Sequence, residues 1–194
     1  MPCTSLFARY ECGIQPKPGR FVALNYMPRG GHYDYDRAGY SERWEAVFLD
    51  FVRKLPLGEE YVFVCHNKAE VESVQRLFPS FRFFWSPFYK DYLDLFSSVK
   101  FGVFNRVHAA FALASLGRPS FVVGSDSRAR MTDQIGLKNS WVGDIDSQRL
   151  VVEFESMQQT WPAFEAKMQE QLSQIEATYL DLLRGVMTAN SGRP

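Results

Sequence analysis

The chain has 194 residues, of which 46% are hydrophobic and 15% aromatic, and its 22 Lys and Arg residues balance 22 Asp and Glu residues. A chain of this length forms one ordinary domain that needs neither disulfides nor a metal for stability. The composition excludes a disordered or fibrous protein. A formal net charge of zero argues against general nucleic-acid binding, which needs a basic surface.

The cysteine content and the hydrophobic runs indicate the compartment. Cys3, Cys12 and Cys65 are odd in number and lack the spacing of metal ligands, so neither a disulfide framework nor a zinc site is predicted. We expect no metal and no cofactor. The sequence has no apolar run as long as a signal peptide or a membrane span requires. It therefore predicts a cytoplasmic protein with reduced thiols.

From residue 20 onward, short apolar runs alternate with longer amphipathic runs, a pattern typical of βαβ units. Strands are predicted at 20–26, 60–66, 81–86, 100–105, 120–125 and, more weakly, 140–142. Helices are predicted at 41–55, 68–78, 89–99, 106–116 and 127–135, and Gly58, Gly117 and Gly136 are placed where helices should end. Right-handed crossovers then give an α/β fold, a doubly wound parallel sheet with helices on both faces.

The chain divides into four parts on this pattern. Residues 1–19 are predicted to be a linker, 20–145 a Rossmann-like domain, 146–187 a long helical tract broken near Trp161 and Pro162, and 188–194 a flexible tail. An apolar stripe runs along the helical tract from Phe164 to Val186. The stripe packs either against the sheet of this chain or against another domain.

Polar residues follow several of the predicted strands, where ligands bind in doubly wound sheets. The loop 25–34 contains His32 and Arg29, the second strand leads into His66, and the fourth leads into His108. All three histidines of the chain therefore fall at one edge of the predicted sheet. This edge is the candidate ligand site.

The segment 101–116 is the most informative part of this edge. An apolar strand ends at Asn105, and an alanine-rich helix begins with Arg106 and His108 in its first turn. A helix N-terminus attracts phosphate or carboxylate groups, and an Arg adds a bidentate partner. The alternatives are an Arg106 paired with a structural carboxylate and a His108 hydrogen-bonded within the core.

A longer stretch, 103–136 (VFNRVHAAFALASLGRPSFVVGSDSRARMTDQIG), resembles the carboxy-terminal part of the polysaccharide pyruvyl transferase family. The resemblance rests on the order and spacing of Arg106-Val107-His108, the alanine-rich run 109–116, Gly117-Arg118-Pro119, the strand 121–124, Asp126-Ser127-Arg128 and Ile135-Gly136. It extends over about residues 1–145, including Pro2-Cys3-Thr4.

The resemblance implies one half of a two-domain GT-B-type architecture, with the other Rossmann-like domain absent here or supplied by another chain. Members of the family transfer the pyruvyl group of phosphoenolpyruvate to a sugar diol as a ketal, in exopolysaccharide biosynthesis. His108 is then the candidate general acid. The candidate donor-binding residues are Arg106, Asn105, Arg29, His66, Ser125, Asp126 and Arg128.

Two positions depart from the family pattern. Arg128 stands where Lys is usual, and the strand that often ends in Arg reads Leu24-Asn25 here. Two other functions stay open: the donor domain of a GT-B glycosyltransferase, which binds a nucleotide sugar, and a non-catalytic interaction module. The expected partners are the donor, a glycan acceptor, and an N-terminal domain partner or a second copy of the chain.

Overall fold

A computed structural model describes residues 3–28 and 40–191 of the chain. Its described residues form a six-stranded sheet in the order β3-β2-β1-β4-β5-β6, and all neighbouring strands are parallel. The strands are β1 Phe21–Leu24, β2 Glu60–Val64, β3 Arg82–Phe84, β4 Val99–Phe104, β5 Ser120–Gly124 and β6 Asn139–Trp141. This confirms the predicted doubly wound α/β fold.

Helices connect consecutive strands, as the alternating pattern predicted. The helices are α1 Ala8–Cys12, α2 Tyr40–Arg53, α3 Lys68–Leu77, α4 Tyr89–Phe96, α5 Val107–Ala114 and α6 Ser147–Ser191, with 3₁₀ helices at Thr4–Phe7 and Ser127–Ile135. The segment predicted as an α-helix after β5 is therefore a 3₁₀ helix. Gly117 and Gly136 adopt the expected left-handed conformation, whereas Gly58 does not and lies beyond the end of α2.

The core lies on both faces of the sheet, because successive strand residues point to opposite sides. Val22 and Leu24 join an aromatic-rich cluster that includes Trp44 and Phe48 of α2. Ala23 joins a second cluster, which contains the buried alanines of α5. Because both faces are covered, the central strands read as continuous apolar runs rather than alternating ones.

Helix α6 packs on both layers of the domain. Its first turns place Phe154 in the cluster with α2, and its later turns place Met168 and Leu172 in the cluster with α5. Pro162 lies inside this continuous helix, so the predicted break at 161–162 is wrong. The stripe packs against the domain of its own chain from Phe164 to Ile175, whereas Leu182 further along is exposed.

The ends of the chain differ from the predicted linker and tail. Leu6 is fully buried, and Phe7 makes an edge-on contact with Tyr179 of α6 at 5.6 Å between ring centroids. Much of the segment predicted as a linker is thus helical and packed on the domain. Helix α6 continues to Ser191, beyond the predicted start of the tail at residue 188.

None of the described helices combines the length and apolar character needed to cross a bilayer. Cys3, Cys12 and Cys65 are free thiols, and burial raises the pKa of the Cys65 thiol to about 12.

A substitution at Gly117 tests how closely α6 packs against the turn that follows α5. Its φ is 72°, and an added Cβ would lie 2.7 Å from the Cγ of Glu165 in α6. We expect Gly117→Ala to lower the free energy of unfolding by about 2–3 kcal/mol, since backbone strain and a clash add together. Urea unfolding at pH 7 measures the change.

Substitutions at two other glycines separate the effect of backbone strain from the effect of the steric clash. Gly13 has a φ of 65° but nothing within 4 Å of an added Cβ, and Gly58 has neither problem. Gly13→Ala should cost about 1 kcal/mol and Gly58→Ala almost nothing. Equal losses in Gly117→Ala and Gly13→Ala would show that α6 does not pack tightly against this turn.

Candidate functional site

The topological switch point of the sheet lies between the neighbouring strands β1 and β4. Helix α2, which follows β1, packs on one face, whereas α5, which follows β4, packs on the other. The connections therefore diverge at this point, and in this class of fold ligands bind in the crevice that such divergence leaves beyond the carboxyl ends of the strands.

The carboxylate of Glu70, in the first turn of α3, is the centre of a polar network in this crevice. It is 1% exposed. One oxygen accepts from the amide of Asn25 at 3.1 Å and from the backbone N–H of His66 at 2.8 Å. The other accepts from the Arg106 Nε at 2.9 Å, from its Nη2, and from Asn67 at 3.2 Å. The buried charge is thus fully satisfied.

Two asparagines connect the strand ends around this carboxylate by hydrogen bonds. The Oδ1 of Asn25 accepts from the backbone N–H groups of Asn105 and Arg106, at 3.2 and 3.1 Å. Its amide also donates to the Val64 carbonyl at 2.9 Å, and Asn105 donates to the Val123 carbonyl at 2.9 Å. The ends of β1, β2, β4 and β5 are therefore joined by side chains. The candidate donor ligand Asn105 serves in this scaffold.

Arg106 lies at the N-cap position of α5 and is about one-third exposed. Two of its nitrogens bind Glu70, while Nη1 makes no hydrogen bond within the described part of the chain. The side chain of Arg106 does not cap α5, in contrast to Asn67, which caps α3, and Asp126, which caps the 3₁₀ helix after β5. The N–H groups at the start of α5 and the outer edge of Arg106 thus point to a site for an anion.

The alternative in which Arg106 pairs with a structural carboxylate is therefore what the structure shows. The core placement considered for His108 is wrong, since His108 is exposed in the first turn of α5. The Glu70 network contains Arg106 but not His108. The two residues flank the same helix start without being joined by a hydrogen bond.

His66 follows β2 and lies against the network as a neutral ring. Burial lowers its pKa to about 4, and the nearby Arg106 charge contributes further. Its ring stacks on Tyr92 at 4.8 Å, and its Nε2 is buried with no hydrogen-bond partner among the described residues. His66 therefore offers hydrogen bonding at neutral pH but no positive charge.

The remaining candidates lie apart from this network or outside the described residues. Arg128 binds back onto Asp126, from Nε at 3.0 Å, and this pairing raises the Arg128 pKa further. Ser125 lies between β5 and Asp126. Arg29 and His32 fall outside the described residues. In residues 3–28 and 40–191, no cluster of three or more His, Cys, Asp or Glu could hold a metal ion.

Sequence reasoning missed Glu70, although a signal was present. Asn67 and Glu70 have the spacing of a capping box, in which residue N3 reaches back to the start of its helix. That pattern predicts a helix start, but it does not reveal that the same carboxylate binds an arginine 36 positions further on.

Comparisons with known proteins bear on the fold. No family model and no curated protein matches the sequence. The structure resembles the UDP-GlcNAc 2-epimerase from Neisseria meningitidis, with 14% identity, a TM-score of 0.52, and coverage of 84% of this chain and 42% of that one. It also resembles the glycosyltransferase VinC, with 16% identity, a TM-score of 0.54, and coverage of 90% and 43%.

The two likenesses show the type of fold and how much of each neighbour's length this chain matches. The chain is a Rossmann-like domain of the GT-B type, and it spans less than half the length of either neighbour. At these identities the likeness concerns the fold alone.

The Arg106–Glu70 pair predicts a measurable stability effect. Arg106→Met removes the cation and leaves a buried carboxylate uncompensated, which should lower the free energy of unfolding by about 2–3 kcal/mol. Arg149→Met is the matched control, because Arg149 binds the buried Glu153 but Lys138 binds the same carboxylate at 2.8 Å. We expect the control to cost under about 1 kcal/mol. Similar losses in urea unfolding would refute the special role of Arg106.

His66 predicts a loss of stability in acid. Because its pKa in the folded chain, about 4, is below the ordinary value of 6.5, the unfolded chain takes up the proton first. Stability should therefore fall as pH drops from about 6.5 to 4, by at most about 1.4 kcal/mol per pH unit. His66→Phe keeps the ring against Tyr92 and removes the titration. Relative to His66→Phe, the free energy of unfolding of the unsubstituted chain should fall as the pH drops below 6.5, and a difference that does not depend on pH would contradict the assignment.

Proposed function

We propose that this chain is the donor-binding half of a pyruvyl transferase-like enzyme, which transfers the pyruvyl group of phosphoenolpyruvate to a sugar diol. The observation that carries the proposal is the start of α5 at the switch point, where the Arg106 side chain does not cap the helix but is held in one orientation by Glu70. The resemblance of residues 103–136 to polysaccharide pyruvyl transferases supports the same function.

The site would recognise an anion through the fixed orientation of its hydrogen-bond donors more than through net positive charge. Glu70 offsets the charge of Arg106, but it also holds the guanidinium in one orientation through two hydrogen bonds. A preorganised donor loses less entropy on binding than a mobile one. The Nη1 of Arg106, to which no described residue is hydrogen-bonded, and the N–H groups of α5 then meet the phosphate or the carboxylate of phosphoenolpyruvate.

In the proposed chemistry, His108 acts as the general acid. Its proton goes to the methylene carbon of phosphoenolpyruvate, and one sugar hydroxyl adds to the neighbouring carbon. The first hydroxyl loses its proton to the imidazole of His108, which restores the acid. A second hydroxyl of the same sugar then displaces phosphate from that carbon and its proton leaves with the phosphate, which closes the ketal and releases inorganic phosphate. The exposed position of His108 at the start of α5 gives it access to a ligand bound there.

We further propose that a second Rossmann-like half completes the enzyme. The two structural neighbours are more than twice as long as the aligned part of this chain. Such a half would close over the switch point, exclude water and supply contacts beyond those of the described residues. It would come from a longer form of this protein or from another chain.

A second candidate function is the binding of a nucleotide sugar at the same edge. One neighbour was solved with UDP-GlcNAc and the other with dTDP. A diphosphate would use the same helix start, so the two functions differ in the ligand that stabilises the chain.

Ligand-induced thermal stabilisation separates the two functions. At a concentration 100 times its dissociation constant, phosphoenolpyruvate should stabilise the chain by about 2.7 kcal/mol, which raises Tm by roughly 5–10 °C. UDP-GlcNAc and dTDP should raise it much less. The reverse order would assign the site to a nucleotide sugar, and no shift with any of them would contradict a donor site.

Thermal shifts measured on three variants show which residues hold the ligand. Arg106→Met should lose the shift caused by phosphoenolpyruvate, whereas Arg149→Met should keep it, because Arg149 lies on α6 away from the switch point. His108→Gln should also keep most of the shift, since a general acid need not hold the anion. An unchanged shift in Arg106→Met would remove that residue from the site.

A further inference from the structure

Strand β3 forms one edge of the sheet, with β2 as its only neighbour among the described strands. Its inward side is hydrogen-bonded. The Phe84 carbonyl accepts from the Cys65 N–H at 2.9 Å, and the Ser86 N–H donates to the Tyr92 hydroxyl at 3.2 Å. Because the backbone groups of successive strand residues point to alternate sides, the residues next to Phe84 face away from the sheet.

Phe83 and Trp85 are these outward residues. In the described part of the chain, nothing is hydrogen-bonded to their backbone N–H or carbonyl groups. Their rings share one face of the edge and are 42% and 50% exposed. Natural sheets protect an open edge with charged side chains, above all Lys, or cover it with another element. Two large aromatic residues at such an edge therefore indicate that it pairs with another strand.

The flanking residues limit the length of such a pairing. Pro87, two positions after Trp85, has no N–H to donate. The Phe81 N–H, two positions before Phe83, already donates to the Phe78 carbonyl at 3.0 Å. An added strand is therefore held by the N–H and carbonyl groups of Phe83 and Trp85 alone.

We propose that the chain forms a two-fold symmetric dimer in which β3 pairs antiparallel with β3 of a second copy. With the symmetry axis at Phe84, Phe83 lies opposite the partner's Trp85, and the two residues exchange both backbone hydrogen bonds. Symmetry repeats this pair, so all the outward groups are satisfied. An axis at Phe83 or at Trp85 would place one outward carbonyl opposite Phe81 or Pro87, neither of which can donate.

The side chains in this register favour a second copy over an unrelated strand. On one face, Phe83 and the partner's Trp85 form an aromatic cross-strand pair. On the other face, Arg82 lies opposite the partner's Ser86, whose hydroxyl is hydrogen-bonded to Asp91 in the same copy. The guanidinium of Arg82 can therefore reach the carboxylate of the partner's Asp91. Symmetry makes two such ion pairs, so the edge complements itself in charge as well as in backbone.

The area of this surface predicts the strength of the dimer. Phe88 and Tyr89 continue the exposed aromatic surface beyond Pro87, at 67% and 73% exposure. The exposed parts of these two rings and of Phe83 and Trp85 amount to roughly 350–550 Å² per copy, below the approximately 800 Å² per partner of a standard interface. We therefore expect a reversible dimer with a dissociation constant on the order of 10 μM.

The dimer does not depend on the proposed function. Strand β3 is three strands away from β4, which leads into α5, so the edge and the donor site are about 14 Å apart across the sheet. Pairing at β3 leaves the switch point uncovered. Thermal stabilisation by phosphoenolpyruvate tests the donor site separately, and either result can fail without the other.

Sedimentation equilibrium of the full chain between about 1 and 200 μM should show a monomer–dimer equilibrium. Phe83→Lys and Trp85→Lys each replace an aromatic pair by a charge at the sheet edge, and each should weaken association by about tenfold or more. Leu57→Lys is the matched control, because Leu57 is a fully exposed apolar residue outside β3. The control should associate as the unsubstituted chain does.

A charge exchange tests the register. Arg82 is 80% exposed and lies 4.0 Å from Glu60, so its substitution disturbs little within one copy. Arg82→Glu and Asp91→Arg each place like charges opposite one another twice, and each alone should weaken the dimer by about tenfold. Mixed in equal amounts, the two variants should form a heterodimer nearly as tight as the unsubstituted dimer, because one ion pair is native and the other has its charges exchanged. A variant that failed to fold would not be rescued in this way.

Three results would overturn the proposal. The first is a chain that stays monomeric up to about 200 μM. The second is a dimer that both lysine variants leave intact, which would place the interface away from β3. The third is a mixture of Arg82→Glu and Asp91→Arg that associates no better than either variant alone, which would exclude the antiparallel register centred on Phe84.

Discussion

The arrangement of the sheet edge depends on the buried carboxylate of Glu70. A lone charge at 1% exposure would be prohibitively unfavourable, so it persists only because donors from three elements converge on it. Those donors include Asn25 after β1, His66 after β2 and Arg106 before α5. The requirement to satisfy one buried charge thus sets how β1, β2 and β4 end, and it fixes the guanidinium of Arg106 at the start of α5.

The fold could be predicted because its signals are local. Each strand and each crossover helix of the sheet shows its own periodicity, and the parallel order follows from right-handed crossovers. Helix α6 was harder, because Pro162 is a strong local signal for an end. The helix continues through it because both flanking stretches are anchored, Met157 in one core cluster and Met168 in the other. Tertiary packing therefore outweighs the loss of one backbone hydrogen bond.

The candidate site could be predicted only in part, for a related reason. The sequence places Asn105, Arg106 and His108 at a helix start, and this is where they lie. Whether Arg106 faces a ligand or a carboxylate depends on a residue in another βα unit, and no local pattern contains that information. The same applies to His66, whose neutral state results from burial beside Tyr92 and Arg106 rather than from its position after a strand.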